Sequence, residues 1–182
     1  MVWLFLDKKH DELFSEMPKH LLHIAPEKLI EKRFREIEGL KYTSADLNAP
    51  NAMVKMDITN IQFPDESFDI IFCCHVLEHI PDDRKAIREL YRVLKPNGRL
   101  IIQVPGPMEK TFENMDEMAP GDRRYVFGHE SHYHLYGPDL IERLNETGFH
   151  ATLVRSEDIA NNEDAMRMRF CKQRIYYAHK NY

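Results

Sequence analysis

The chain has 182 residues, a mass of 21.6 kDa and a formal net charge of −5. Hydrophobic residues make up 43% and charged residues 30%, which excludes both a disordered chain and one dominated by membrane spans. An acidic balance with a pI near 6.1 argues against a nucleic-acid partner and leaves chemistry on a small molecule open.

Residues 1–6 are apolar, but Asp7, Lys8 and Lys9 follow at once. The run is too short for a signal-peptide core or a bilayer span, so a cytoplasmic location and no membrane partner are expected. Val2, Trp3, Leu4, Phe5 and Leu6 need a surface to pack on. Either residues 1–19 form a docking segment, or residues upstream are missing. His20-Leu21-Leu22-His23-Ile24 reads as a first strand. Pro26 suits the first turn of a helix, and Leu29, Ile30, Phe34 and Ile37 repeat near helical spacing over 27–37, with Gly39 as its cap. Residues 40–45 form a second strand ending at Asp46, and residues 53–56 a third ending at Asp57.

Residues 68–74 are a continuous apolar run, the mark of a strand buried on both faces. Cys73 and Cys74 are strand neighbours and should face opposite sides of a sheet. With Cys171 they make an odd count without a ligand spacing, so reduced thiols in a reducing compartment are expected. Pro81, Asp82 and Asp83 open a helix with Ala86, Ile87, Leu90, Tyr91 and Leu94 on its apolar face. Pro96-Asn97-Gly98 is a stop and a turn before a fifth strand over 99–104. A helix over 138–145 ends at Gly148. Strands follow over 151–154 and 167–178, the last long and suited to antiparallel pairing. Strand and helix alternate five times, which means a parallel sheet covered by helices. One domain over 1–182 is the simplest division. Residues 106–136 break the rhythm with no clear period. A loop of that length after a strand's carboxyl end is a place for ligands, so it is assigned to the substrate side.

Three stretches carry a resemblance. They are the run from Asp57-Ile58-Thr59-Asn60 to Ser67-Phe68-Asp69, then His75-Val76-Leu77-Glu78-His79-Ile80, then Tyr91-Arg92-Val93-Leu94-Lys95-Pro96-Asn97-Gly98. In that order, and with His132-Tyr133-His134-Leu135-Tyr136-Gly137 and Gly148-Phe149 beyond them, the chain resembles the class I S-adenosylmethionine-dependent methyltransferases of type 11. The resemblance implies an α/β, Rossmann-like, doubly wound sheet of seven mostly parallel strands with an antiparallel last strand. It implies S-adenosylmethionine as cofactor, S-adenosylhomocysteine as product and a small-molecule or sugar-like acceptor. One departure stands out: the first turn is His23-Ile24-Ala25-Pro26-Glu27, with no glycine before Gly39. Glycine there lets backbone approach the ligand, whereas Pro26 removes an amide donor. The His-Ile-Ala-Pro-Glu form is similar to a smaller subgroup, many of whose members carry a cysteine-rich module upstream.

The cofactor's chemistry selects residues under that resemblance. Asp46, with Leu47 beside it, is placed to accept two ribose hydroxyls, or else is a turn aspartate. Asp57, with Ile58, is placed to accept from the adenine amino group, or else caps the turn at Asn60. In the first loop Ile24, Ala25 and Glu27 are candidates, though a first-turn glutamate is also favoured by the helix dipole alone. Cys74 and His75 end the fourth strand and would lie beneath the methionine tail. His132, in a group with His129, Glu130 and His134, is the candidate catalytic base, or else orients the loop. Tyr136, Arg123 and Arg124 could read an anionic or hydroxylated acceptor, or else the arginines form a solvated loop face. His75, Glu78 and His79 resemble a Glu-x-x-Glu-His run that holds a divalent ion in some quinone-pathway relatives; packing near the cleft is the simpler reading, and no metal ligand is assigned.

Other functions stay open. A non-catalytic domain that keeps the fold and binds S-adenosylhomocysteine fits the glycine-free turn. A nicotinamide enzyme lacks its G-x-G-x-x-G signature. A metal-dependent hydrolase using both histidine groups would contain stoichiometric metal. Residues 1–6 and the long last strand offer surfaces for a homodimer.

Overall fold

The computed structural model describes residues 1–16, 18–105, 108–113, 118, 120–160 and 173–181. Its chain order is α1 (Val2–Lys8), α2 (His10–Phe14), β1 (Lys19–Ile24), α3 (Lys28–Arg35), β2 (Leu40–Asp46), β3 (Val54–Lys55) and β4 (Phe68–Cys74). A 3₁₀ turn (Leu77–His79) leads to α4 (Asp83–Val93), β5 (Leu94–Gln103), β6 (Phe112–Glu113) and α5 (Pro120–Phe127). The chain closes with β7 (His134–Leu135), α6 (Leu140–Glu146), β8 (Phe149–Arg155), α7 (Ser156–Ile159) and β9 (Arg174–Lys180).

Seven strands form one sheet in the order β3-β2-β1-β4-β5-β9-β8. β1, β2, β3, β4 and β5 run parallel, and β9 is antiparallel to both β5 and β8. The expected doubly wound architecture is therefore present. Residues 167–172, the first half of the expected last strand, and Cys171 lie outside the described residues.

Alternation along the strands builds two cores. Ile70, Phe72 and Cys74 of β4 join Leu21, Phe34 and Tyr42 on one face. Ile71 and Cys73 join Leu22, Leu90 and Leu100 on the other. The adjacent cysteines thus face opposite layers, as a period of two requires. Each fully buried large apolar side chain contributes about 1.5–3 kcal/mol. The first face is closed by α1 and α2, whose Phe5, Leu6 and Leu13 are buried. Phe5 meets Tyr177 edge-on at 5.3 Å. Glu12 fastens α2 to the sheet, accepting from Tyr177 Oη at 2.6 Å and pairing with Arg99 at 3.3 Å. Burial opposes its charge, but hydrogen bonds from Lys9, Tyr177 and Arg99 outweigh that and hold its carboxyl at about 2.

Three expectations are corrected. First, β9 lies inside the sheet with a partner strand on each side, and Val2, Phe5 and Leu6 are buried in the core beneath it. Second, α4 runs straight into β5, and the Pro96-Asn97-Gly98 turn is a bulge within that strand. Pairing jumps from Phe68↔Leu94 to Ile70↔Arg99, with Asn97 at φ 61°. A side chain at Gly98 would stand 2.6 Å from Leu94, so the bulge needs glycine. Third, residues 106–136 contain α5 and both strands, β6 and β7, of a two-stranded antiparallel ribbon. Among the described residues no helix is long and apolar enough to cross a membrane.

Candidate functional site

The parallel strands end at one edge, and two turns there are strained. After β1, Ala25 donates its amide to the Ala45 carbonyl at 2.9 Å while adopting φ 50°. After β4, His75 donates to the Gln103 carbonyl at 2.8 Å at φ 54°. Each amide extends the ladder by one rung, and the chain must then swing away sharply. For a residue with a Cβ this conformation costs about 1–2 kcal/mol. Strain of this kind collects at binding sites, where surrounding structure maintains it.

Between these turns lies a cavity of about 400 Å³, within the range of small-molecule sites. Ile24 and Ala25 line it from β1, Asp46 and Leu47 from β2, Asp57 and Ile58 from the segment after β3, and His75 from β4. Seven of the nine expected cofactor residues therefore meet around one space. Asp46 Oδ1 accepts from the amides of Asn48 and Ala49, both at 2.7 Å. Asp57 Oδ1 accepts from the Thr59 amide at 2.8 Å and hydroxyl at 2.9 Å. Each carboxylate is thus held by one oxygen, and its Oδ2 has no hydrogen bond among the described residues. The turn-aspartate and ligand-binding readings are compatible: the turn aims the carboxylate. Met56, Ile58 and Val76 give the space apolar walls between the two acids.

Glu27 and Cys74 are not in that lining. Glu27 is the N-cap residue of α3, and its Oε2 is 3.7 Å from Nε2 of the fully buried His23. Cys74 packs below the edge, where burial pushes its thiol well above the ordinary range.

On the open side the lining is His79, Ile80 and Ser131. His79 Nδ1 and His129 Nδ1 each lie 2.8 Å from Ser131 Oγ. The His132 ring stands 4.7 Å from that of His79 and 5.0 Å from that of His129. Burial, together with the His79 and His129 rings, lowers the His132 pKa, so it is neutral near pH 7. The backbone fixes this loop, since Tyr133 donates its amide to the Glu78 carbonyl at 2.7 Å. Glu78 is 1% exposed. Its Oε1 lies 3.4 Å from His75 Nδ1, and hydrogen bonding to Glu78 raises the His75 pKa against the effect of burial.

His134 does not join His132. It is buried, bonds the Ile80 carbonyl through Nε2 at 2.9 Å and stacks on Tyr136. Tyr136, expected to read substrate, is a core residue whose hydroxyl donates to Asp83 Oδ2 at 2.9 Å. Arg123 lies 4.5 Å over the Tyr133 ring, and Arg124 is exposed. The approach of His79 to Ser131, 52 positions apart, left no local signal in the sequence. Asn48 and Met56, by contrast, are neighbours of residues the strand ends had already marked.

The sheet order and its antiparallel strand match those of Rossmann-like methyltransferase structures. Residues 28–102 match the family described as a methyltransferase domain. The chain is 45% identical over 49 residues to the ubiquinone/menaquinone biosynthesis C-methyltransferase UbiE of Pseudoalteromonas translucida, a match covering 27% of this chain and 20% of that protein. Across the first curated relatives, the match spans between 17% and 60% of their length. Phosphoethanolamine N-methyltransferase 2 of Haemonchus contortus, solved with phosphomonomethylethanolamine and S-adenosylhomocysteine, superposes with a TM-score of 0.65 at 18% identity, covering 100% of this chain and 53% of that one. The [4+2]-cyclase SpnF superposes with a TM-score of 0.62 at 17% identity, covering 98% and 80%. These two likenesses establish the fold.

Proposed function

We propose that the chain is an S-adenosylmethionine-dependent methyltransferase acting on a small-molecule or sugar-like acceptor. The observation that carries this is the strand-end cavity with Asp46 and Asp57 on its wall, each holding one carboxylate oxygen uncommitted. These residues fit the cofactor's chemistry. Asp46 would take the two ribose hydroxyls and Asp57 the adenine amino group, with Met56 and Ile58 against the base. Bound there, the cofactor supplies a methyl group made electrophilic by its sulfonium sulfur. The chain's own contribution is position and a partly dry wall, which is where much of the rate of such a displacement arises.

The acceptor would enter past His79, Ile80 and Ser131. A proton released from its oxygen or nitrogen meets His79 first, and His132 stands one ring behind to receive it. In this reading the His23-Ile24-Ala25-Pro26-Glu27 turn, with Ala25 already at φ 50°, takes the place of the glycine-rich turn.

A second reading rests on the same turn. Pro26 supplies no amide donor, so a chain that binds the cofactor product without transfer is the competing function. A cyclase sharing this fold shows that the fold alone does not decide between them. Ultraviolet cross-linking with methyl-labelled S-adenosylmethionine tests the site. Label is expected in peptides around Asp46 and Asp57; label confined elsewhere, or none, overturns it. Label there without transfer to any acceptor favours the binding reading.

A further inference from the structure

We propose that His79, His129 and His132 form a binding site for one divalent transition-metal ion of the zinc type at the mouth of the strand-end cavity. One nitrogen from each of the three rings lies within 4.8 Å of the others. Nitrogens of a tetrahedral zinc site, about 2.0–2.1 Å from the ion, stand about 3.4 Å apart. The present separations therefore exceed that spacing by at most about 1.4 Å.

Four further features point the same way. Ser131 Oγ is shared between His79 Nδ1 and His129 Nδ1, at 2.8 Å from each. A polar group that orients an imidazole ring is the kind of outer-shell contact that metal-binding histidines use. Among the described residues, His132 Nδ1 is buried and has no hydrogen-bond partner. Glu78 Oε2, in a side chain 1% exposed, is likewise buried without a partner. A buried carboxylate oxygen left unpaired is costly, and a nearby cation removes that cost. The frame is rigid on both sides: His79 belongs to the 3₁₀ turn, and the loop carrying the other two rings is tied to that turn through Tyr133 and Glu78.

A set of three imidazoles selects zinc, cobalt, nickel or copper over magnesium, which prefers oxygen. The set differs from the sequential run His75, Glu78, His79, since His75 has no part in it and two ligands come from a loop 50 residues further on. Three protein ligands leave a fourth position open, as catalytic rather than structural zinc sites do. His79 and Ser131 line the cavity, so that position would take an oxygen or nitrogen of whatever enters there. A metal ion would make His132 a ligand in place of a proton acceptor. The inference stands whether or not the chain transfers methyl groups.

The test uses the untagged full chain stripped with chelator and titrated with cobalt(II), followed by visible absorption and by competition with zinc. One equivalent should bind, with the absorption bands of a low-coordinate imidazole site, and zinc should displace it. His129→Ala and His132→Ala should each weaken binding at least tenfold, with thermal unfolding recorded for both. His150→Ala, in the stacked pair with His179 on the sheet, should bind as the parent does. Because His129 is exposed, its variant keeps the test valid if His132→Ala unfolds. Binding only at millimolar cobalt, equal binding by parent and His129→Ala, or loss in His150→Ala would overturn the proposal.

Discussion

Two buried carboxylates five residues apart behave in opposite ways. Asp83, 3% exposed, accepts from Tyr136 Oη at 2.9 Å and pairs with Arg143 at 2.6 Å. Arg143 also reaches Glu113 at 2.7 Å, which ties α4 and α6 to the β6–β7 ribbon. Among the described residues, Glu78, 1% exposed, meets His75 at 3.4 Å through one oxygen and has no hydrogen-bond partner at the other. The first cluster is closed on itself and serves structure. The second sits beside two strained turns, an open cavity and three imidazoles, and its polar groups wait for something else. A polar group's satisfaction separates scaffold from site here more sharply than burial does.

The largest expected effect breaks the scaffold cluster. Asp83→Ala leaves Arg143 and the Tyr136 hydroxyl without their buried partner and should cost about 3 kcal/mol in denaturant unfolding. Glu78→Gln, which keeps the side chain's shape, should change stability by less than about 1 kcal/mol. Equal losses in the two variants would abolish the distinction.

The N-terminal helices offer an intermediate case. Phe5→Ala removes a ring 2% exposed from the face β9 presents and should cost about 3 kcal/mol, read as a lowered midpoint at unchanged slope. A cost below about 1 kcal/mol would mean that α1 is not part of the core. Ala25→Gly is a smaller test in the opposite direction. It relieves φ 50° but frees the unfolded chain, for a net gain of about 0.5 kcal/mol. A loss would show that the turn is not under strain.

The smallest effect is a pH dependence. The Glu12 carboxyl falls from 4.5 to about 2 on folding, so its stabilisation is present above pH 4.5 and is lost as pH drops toward 2. Glu12→Gln should flatten the acid limb of the stability curve in that window. An unchanged limb would mean that other carboxylates carry it.

The central strands were readable because residues buried on both faces leave continuous apolar runs, as in Phe68–Cys74. The strand-end acids were readable because a carboxylate closing a strand is a local pattern, and both Asp46 and Asp57 line the cavity. Helix α5 was not readable. Its apolar residues Tyr125, Val126 and Phe127 are consecutive, and Tyr125 is 91% exposed, so no amphipathic period exists. The two-residue strands of the ribbon are too short to show alternation. The separation of His132 from His134 follows from that pairing, which buries His134 beneath Glu113. The grouping of His129 with His132 was legible, but neither the approach of His79 to them nor the Asp83–Arg143 lock has a sequence signature, because each joins residues more than 45 positions apart.

The central claim is that Asp46 turns a free carboxylate oxygen toward a nucleoside cofactor. Calorimetric titration of S-adenosylhomocysteine and S-adenosylmethionine into the full chain, repeated with Asp46→Asn, tests it most directly. The substituted side-chain amide keeps an oxygen for the Asn48 and Ala49 amides and removes the charge. The account predicts micromolar binding by the parent and a loss of at least about tenfold in the variant, since hydrogen bonds to a charged group contribute about 1.5–3 kcal/mol each. No binding at millimolar ligand, or equal affinity in the two proteins, would contradict it.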